Sequence, residues 1–342
     1  MENSKLKLRF YIIAALMIAL LAAVWGQKRF LPKTSNADKT VFSAAAADKR
    51  QSYVADVRTS IFYKGRKINV MSKMYHTPAA ERVEYVTGPP KGIVVITRDG
   101  KTYSCDSRTK ETALSVSAQA KSSSERLQLL MRNHIAALSG EAHVAGRQCQ
   151  VVDIIPRDFN SPSKRLWIDK STFVILRIDD SDLSGRRRSS SEFTRIRYVS
   201  HLPSGLFISP NGKCAASDAI SQPLDREALS KRLGFKVTPP KYIPAGYTLD
   251  GYTLFKCSCK CGHESAHIIY TNGLNTLSVF ETKSLLHCGA KVCDPSMRQS
   301  MDCRVNSNEQ GQTAVITKGK KTVLVIGNLP DAELVKVARS TP

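Results

Sequence analysis

From Tyr53 onward the chain keeps returning to a period of two, and that alternation constrains its fold more than any single motif. Tyr53, Ala55, Val57, Thr59, Ile61 and Tyr63 alternate with Asp56, Arg58, Ser60 and Lys64, the pattern of a strand with one buried face. Lys64-Gly65-Arg66 supplies a turn, and residues 67–75 read as the returning strand. Residues 82–86 form another, stopped by Gly88-Pro89-Pro90. Residues 92–98 and 101–105 close a hairpin around Asp99-Gly100, a dipeptide suited to the positive backbone angles of a tight turn. Strands resume at 147–155, 165–168, 173–178 and 193–198. One helix interrupts them. Ser122 and Glu125 have capping-box spacing, Leu127, Leu130, Met131, His134 and Leu138 follow helical spacing, and Gly140 suits the stop. His134 on that stripe reads as a packed core histidine. The pattern predicts a long antiparallel sheet of consecutive hairpins with one helix to cover it.

A second region follows residues 209–224, a Gly-, Asn-, Pro- and Ser-rich linker. Residues 225–342 contain a short helix at 225–233, strands at 267–270, 276–281, 313–317 and 322–326, and a closing helix at 331–340 with Asp331 near its start. This is a small α+β unit of ordinary domain size.

The N-terminus sets the compartment. Lys5, Lys7 and Arg9 precede an uncharged apolar run over residues 10–25, the layout of an export signal. Residues 1–26 are a signal peptide or a retained membrane anchor, and residues 27–52 read as a linker without a sustained apolar face. The protein is thus expected outside the cytoplasm, in a periplasm or tethered to the outer face of an inner membrane. A formal charge of +22 points to nucleic acid, an anionic membrane surface or an acidic protein partner. Export removes nucleic acid, and anionic lipid is the favoured surface. The one dense run, Arg186-Arg187-Arg188, sits among Ser and Gly and reads as a solvated loop tip.

Six of nine cysteines, Cys257, Cys259, Cys261, Cys288, Cys293 and Cys303, lie in the last quarter of the chain. In an oxidising compartment they fit three disulfides, each contributing about 2–4 kcal/mol. Metal binding by Cys257, Cys259, Cys261 and His263 is the alternative, and redox-active thiols a third. Single-residue spacing is poor for tetrahedral zinc and better for a soft ion such as Cu(I). Cys105 and Cys149 are candidates for a bridge between sheet strands, which leaves Cys214 odd. No Gly-x-Ser-x-Gly, His-Glu-x-x-His, phosphate loop or Rossmann fingerprint occurs. The residues point to a non-enzyme without a cofactor.

Several segments, in order, resemble the RseB/MucB family of periplasmic regulators of the envelope-stress sigma factor, whose N-terminal domain is related to the lipoprotein carriers LolA and LolB. They are Glu81-Arg82 to Gly88-Pro89, Arg98-Asp99-Gly100 with Cys105, Ala145-Gly146-Arg147-Gln148-Cys149, Pro156-Arg157-Asp158 and Leu166-Trp167-Ile168-Asp169. In the second region Ile243-Pro244-Ala245-Gly246-Tyr247 is similar to the family's opening segment, and His267 to Leu274, ending in Ser278-Val279-Phe280, to its most distinctive stretch. Val323 to Ile326, Gly327 and Leu329-Pro330 complete the likeness. Asn272 replaces the family's usual Asp, and the six-cysteine set is an elaboration.

The resemblance implies an α+β fold: a LolA-like unclosed antiparallel β-barrel with covering helices over 53–208, then an RseB-like C-terminal domain over 225–342. It implies a groove for a lipid or lipoprotein acyl chain, for which Ile61, Val70, Ile93, Val95, Leu127, Met131, Trp167 and Ile175 are the candidates. It implies the extracytoplasmic part of an anti-sigma factor as partner. A lipid or lipoprotein carrier without a signalling role, and an exported metal-binding protein, are the alternatives.

Overall fold

A computed structural model describes residues 35–63, 65–109, 111–116, 121–158, 161–208, 215–216, 221–256, 263–283, 304–308, 311–319 and 321–342. In the N-terminal part, strands β1 (Tyr53–Tyr63), β2 (Arg66–Thr77), β3 (Ala80–Tyr85), β4 (Ile93–Arg98), β5 (Lys101–Asp106) and β6 (Glu111–Val116) form a meander on one side of β1. On the other side come β11 (Arg187–Tyr198), β10 (Ile175–Ser181), β9 (Lys164–Asp169), β8 (Arg147–Pro156) and β7 (His134–Val144). Every one of these pairings is antiparallel. Bulges at Asp56/Val57, Ile175/Arg177 and Asp180/Ser181 add the local twist that curves a sheet. Among the described residues β7 pairs only with β8, so the barrel stays unclosed.

Two helices sit on the concave side. Helix α1 (Asn36–Ala47) falls where the sequence reads as linker, and corrects that reading. Ser35 caps it, with Asp38 returning the capping-box bond. Ala37, Thr40, Val41, Ala44 and Ala47 are buried, an i, i+3, i+4, i+7 stripe of small residues that lets the helix lie close to the sheet. Thr40 donates to Gln150 of β8 at 2.8 Å. Helix α2 (Ser123–Asn133) carries the expected Ser122–Glu125 capping box. It stops at Asn133, short of the expected Gly140, because residues 134–144 pair along their length with β8. The helical spacing of His134 and Leu138 is overridden by a long hairpin. His134 is buried, and its Nδ1 donates to the Leu130 carbonyl at 3.0 Å, so it serves the core as expected.

In the C-terminal part β14 (Thr248–Lys256), β15 (Glu264–Thr271), β16 (Thr276–Thr282), β19 (Lys321–Gly327), β18 (Gly311–Lys318) and β17 (Arg304–Asn308) pair antiparallel in that order. Helices α3 (Arg226–Leu233) and α4 (Asp331–Ser340) contribute Leu229, Leu334, Val337 and Ala338 to a core with Ile268, Leu277, Val279, Val323 and Val325. Part of the expected linker is strand. β12 (Ala215–Ala216) and β13 (Ser221–Pro223) pair parallel with β6, and β13 also pairs with β14. Backbone hydrogen bonding therefore runs from one half of the molecule into the other.

The arginine run is a further correction. Arg187 and Arg188 belong to β11. Arg187 lies 4.9 Å from the Phe62 ring and 3.2 Å from the Asp179 carboxylate, and Arg188 donates to Asn328 of the C-terminal part. Two of the three arginines thus stand at the start of a strand paired with β10, while Arg186 stays in the exposed loop.

Candidate binding concavity

Register places each side chain on a face. Residues directly opposite one another share a face, and neighbours along a strand alternate. Tyr53, Ala55 and Val57 of β1 are buried in one cluster with Ala47 of α1, which marks the concave side. Following pairs outward, Ile61 lies opposite Ile68, Thr59 opposite Val70, Ala55 opposite Met74, Met74 opposite Val83, and Val83 opposite Val95. Tyr85 shares this face through Ser72, and Ile93 by alternation from Val95.

Part of the convex side of β2–β4 is covered. Ile96, fully buried, packs with Phe207, Leu202 and Leu206, and Arg82 donates to the Leu206 carbonyl at 3.0 Å. Among the described residues, the concave side beyond Tyr53, Ala55 and Val57 has no such cover. Ile61, Ile68, Val83, Tyr85, Ile93 and Val95 are half-buried and pack into none of the four buried clusters of the described residues. Val70 is the exception, 5% exposed. A Cβ on Gly88 would come within 2.9 Å of its methyl group, so only glycine allows the Gly88-Pro89 turn to close over Val70.

The concave face thus has two halves. Over β8–β10, helices α1 and α2 fill it: Val41, Ala44 and Leu130 pack with Val152, Ile154, Leu166 and Ile168, and Leu127, Met131 and Ile175 lie against them. Over β1–β4 it is open and apolar. Between the halves runs a polar seam of Thr59 and Ser191, whose hydroxyls are 2.9 Å apart. At one end, beside Ile61, Lys164 pairs with Asp180 at 2.6 Å and Ser189 donates to the same carboxylate at 2.8 Å.

Of the eight residues expected to line a groove, Ile61, Val70, Ile93 and Val95 share the open half. Leu127, Met131 and Ile175 lie in the filled half. Trp167 packs against the cluster of Tyr53, Ala55 and Val57 and does not join the open half. It sits opposite Arg177, whose guanidinium is 4.2 Å from its ring, on the face away from Leu166 and Ile168. Alternation of Leu166, Trp167 and Ile168 carries that separation in the sequence. Ile68, Val83, Tyr85 and Met74 escaped the sequence reading, although Val83 and Tyr85 alternate with Arg82 and Glu84.

Much of the positive charge on the convex face is paired. Glu192 accepts Arg58 and is 3.4 Å from Arg177. Asp153 takes Arg165, and Asp179 takes Arg177 and Ser190. Burial opposes ionisation of Asp179, but the hydrogen bonds from Arg177 and Ser190 hold it below the usual carboxylate range.

The expected Cys105–Cys149 bridge is not formed. Cys149 is a buried free thiol, and Cys105 is disulfide-bonded to a partner outside the described residues. Cys105 in β5 and Cys149 in β8 stand on opposite sides of β1 in the sheet order. Cys214, Cys257, Cys259, Cys261, Cys288, Cys293 and Cys303 also lie outside the described residues, as does the leader. Among the described residues no group of acidic, His or Cys side chains could hold a metal, and no helix is long and apolar enough to cross a membrane.

The architecture is an unclosed antiparallel barrel with helices seated on its concave side, followed by a small α+β unit. Residues 43–210 match the model of the MucB/RseB N-terminal domain. MucB of Pseudomonas aeruginosa, in its crystal complexes with MucA, has the same fold. One complex superposes with a TM-score of 0.61 at 18% identity over 89% of this chain and 97% of that one. A second, with the periplasmic part of MucA, gives 0.62 at 18% identity over 90% and 98%. An uncharacterised protein of Methanocaldococcus jannaschii, MJ0687, is 21% identical over 72% of this chain and 76% of its own length.

Proposed function

We propose that this chain is a non-enzymatic, exported binding protein that holds an acyl chain or another extended apolar ligand on the concave face of β1–β4. Through its ligand state it modulates the extracytoplasmic part of an anti-sigma factor. One observation carries the ligand half: six large apolar side chains on the concave face of β1–β4 stay partly exposed and outside the buried clusters of the described residues. Exposed apolar surface of this kind marks a binding site. The Lys164–Asp180–Ser189 group at its end suits the polar head of an amphiphile. The partner half rests on the match to the MucB/RseB N-terminal domain model and on the complexes of MucB with MucA. A ligand regulates such a complex only through different affinities for the bound and free states.

Native mass spectrometry of the purified full chain tests the ligand half, and titration with the extracytoplasmic part of a membrane-spanning anti-sigma factor tests the other. The expected outcome is a co-purified amphiphile, lost in Ile93→Glu, and an anti-sigma complex that the amphiphile weakens. Lipid bound without any anti-sigma complex would make the protein a carrier. Lipid uptake unchanged in Ile93→Glu would remove the groove.

A further inference from the structure

The second segment of the C-terminal part that carries the family resemblance ends in a turn, residues 271–275, and that turn rests on α2. The turn is organised by its own strands. Asn272 Oδ1 accepts the backbone N–H groups of Leu274 and Asn275 at 3.0 and 2.7 Å, and Thr271 Oγ1 accepts that of Gly273 at 3.1 Å. Thr271 and Thr276 pair as the last rung of β15 and β16. It reaches the N-terminal part as a preformed shape.

Its contacts there converge on one helix. Gly273, at φ +93°, presses so close that an added Cβ would overlap the Leu130 backbone, 2.6 Å from its Cα and 2.8 Å from the Arg126 carbonyl. Leu274 packs against the cluster that contains Leu130. Asn133, the last residue of α2, donates to the carbonyls of Gly246 and Asn272 at 2.8 and 3.0 Å. Asn272 donates to Ser161 at 3.3 Å. At the other end of the helix, Arg126 donates to Asp250, 1% exposed, which also accepts the Lys121 N–H at 3.3 Å. The Lys121 ammonium reaches the Leu249 carbonyl at 2.6 Å. Both ends of α2 are held by the C-terminal part, while Leu127 and Met131 cover the filled half of the concavity.

We propose that the 271–275 turn is a latch by which the C-terminal part holds α2 over the concavity, so that releasing the latch joins the filled and open halves into one larger apolar site. The proposal rests on the groove reading above. Coupling of this kind is reciprocal: a ligand that needs the larger site loosens the latch, and a partner that tightens the latch expels the ligand. The C-terminal part would then read ligand occupancy through α2.

Two variants of the full chain test it. Gly273→Ala places a methyl group in the Leu130 backbone. Asn133→Ala removes two hydrogen bonds from the helix end and leaves the turn itself intact. In each, hydrogen exchange across residues 123–133 is expected to quicken roughly tenfold, with the convex cluster around Ile96 still protected. Affinity for cis-parinaric acid, a fluorescent fatty acid, is expected to rise several-fold. Wild-type exchange in α2 of Asn133→Ala would overturn the latch. Faster exchange with unchanged uptake would overturn its coupling to the site. If no form takes up the fatty acid, the groove reading falls, and the exchange rates alone still decide the latch.

Discussion

His76 shows how one side chain can tie a helix end to a sheet. It is 5% exposed, stacks on Tyr53 at 4.7 Å, reaches the Asp48 carbonyl at 3.0 Å through Nε2, and faces the Glu81 carboxylate at 3.5 Å through Nδ1. Burial alone would depress its pKa, but the nearby Glu81 carboxylate, then the carbonyl and charge of Asp48, outweigh it and raise the value above 6.5. A raised folded-state pKa contributes stability that is complete below the unfolded value and lost as pH rises through the folded one. An NMR titration should place His76 above 6.5, and His76→Gln should remove that alkaline-side loss; a titration below 6.5 would contradict the geometry. His267 has the opposite sign. Buried and stacked on Phe280 at 4.1 Å, it is pushed down to about 4, so its contribution is present above 6.5 and fades as pH falls towards 4, by about 3 kcal/mol at most. Thermal unfolding of His267→Leu across that window should fall less steeply than wild type. Cys149 sits opposite Asp169, and burial, then that carboxylate, push its thiol up to about 11. Iodoacetamide should leave it unmodified in the native protein and modify it once denaturant is added.

Among the elements, those most legible in the sequence had both a period and a boundary marker. α4 spans Asp331–Ser340 as read, and α3 follows Asp225, which caps it. The hairpin at Asp99-Gly100 forms as read, with both residues at positive φ. Boundaries failed where a second pattern competed. His134-Ile-Ala-Ala-Leu can continue a helix or begin a strand, and only the distant residues 147–156 decide for the strand. Helix α1 was hidden by its own composition, because a buried stripe of Ala, Thr and one Val resembles a linker until a sheet lies beneath it. Ser35→Ala should therefore matter: losing the cap should cost about 1 kcal/mol and quicken exchange in the first turn of α1, whereas a true linker would show no change. Ile96→Ala, fully buried under Phe207, should destabilise by about 2–5 kcal/mol in urea unfolding. A loss below 1 kcal/mol would mean that the 202–207 segment does not cover this part of the convex face.

At the scale of the whole molecule, the sheet runs from β6 through β13 into β14, and α2 is gripped by both parts. A regulator built this way need not transmit a signal along a flexible tether, because the helix that covers the apolar interior is also the surface on which the second part rests. The face of the concavity was only half legible beforehand: the resemblance made Ile61, Val70, Ile93 and Val95 candidates, but the register that gives them one face and the half that the helices fill depend on long-range packing. The central claim is that the open half over β1–β4 holds an apolar chain. Photo-crosslinking of the full chain with a diazirine-bearing fatty acid, followed by peptide mapping, tests this most directly. Labels on Ile61, Ile68, Val83 and Val95, suppressed by unlabelled fatty acid and by Ile93→Glu, are the predicted result. Labels confined to the convex face or to the C-terminal part would contradict it.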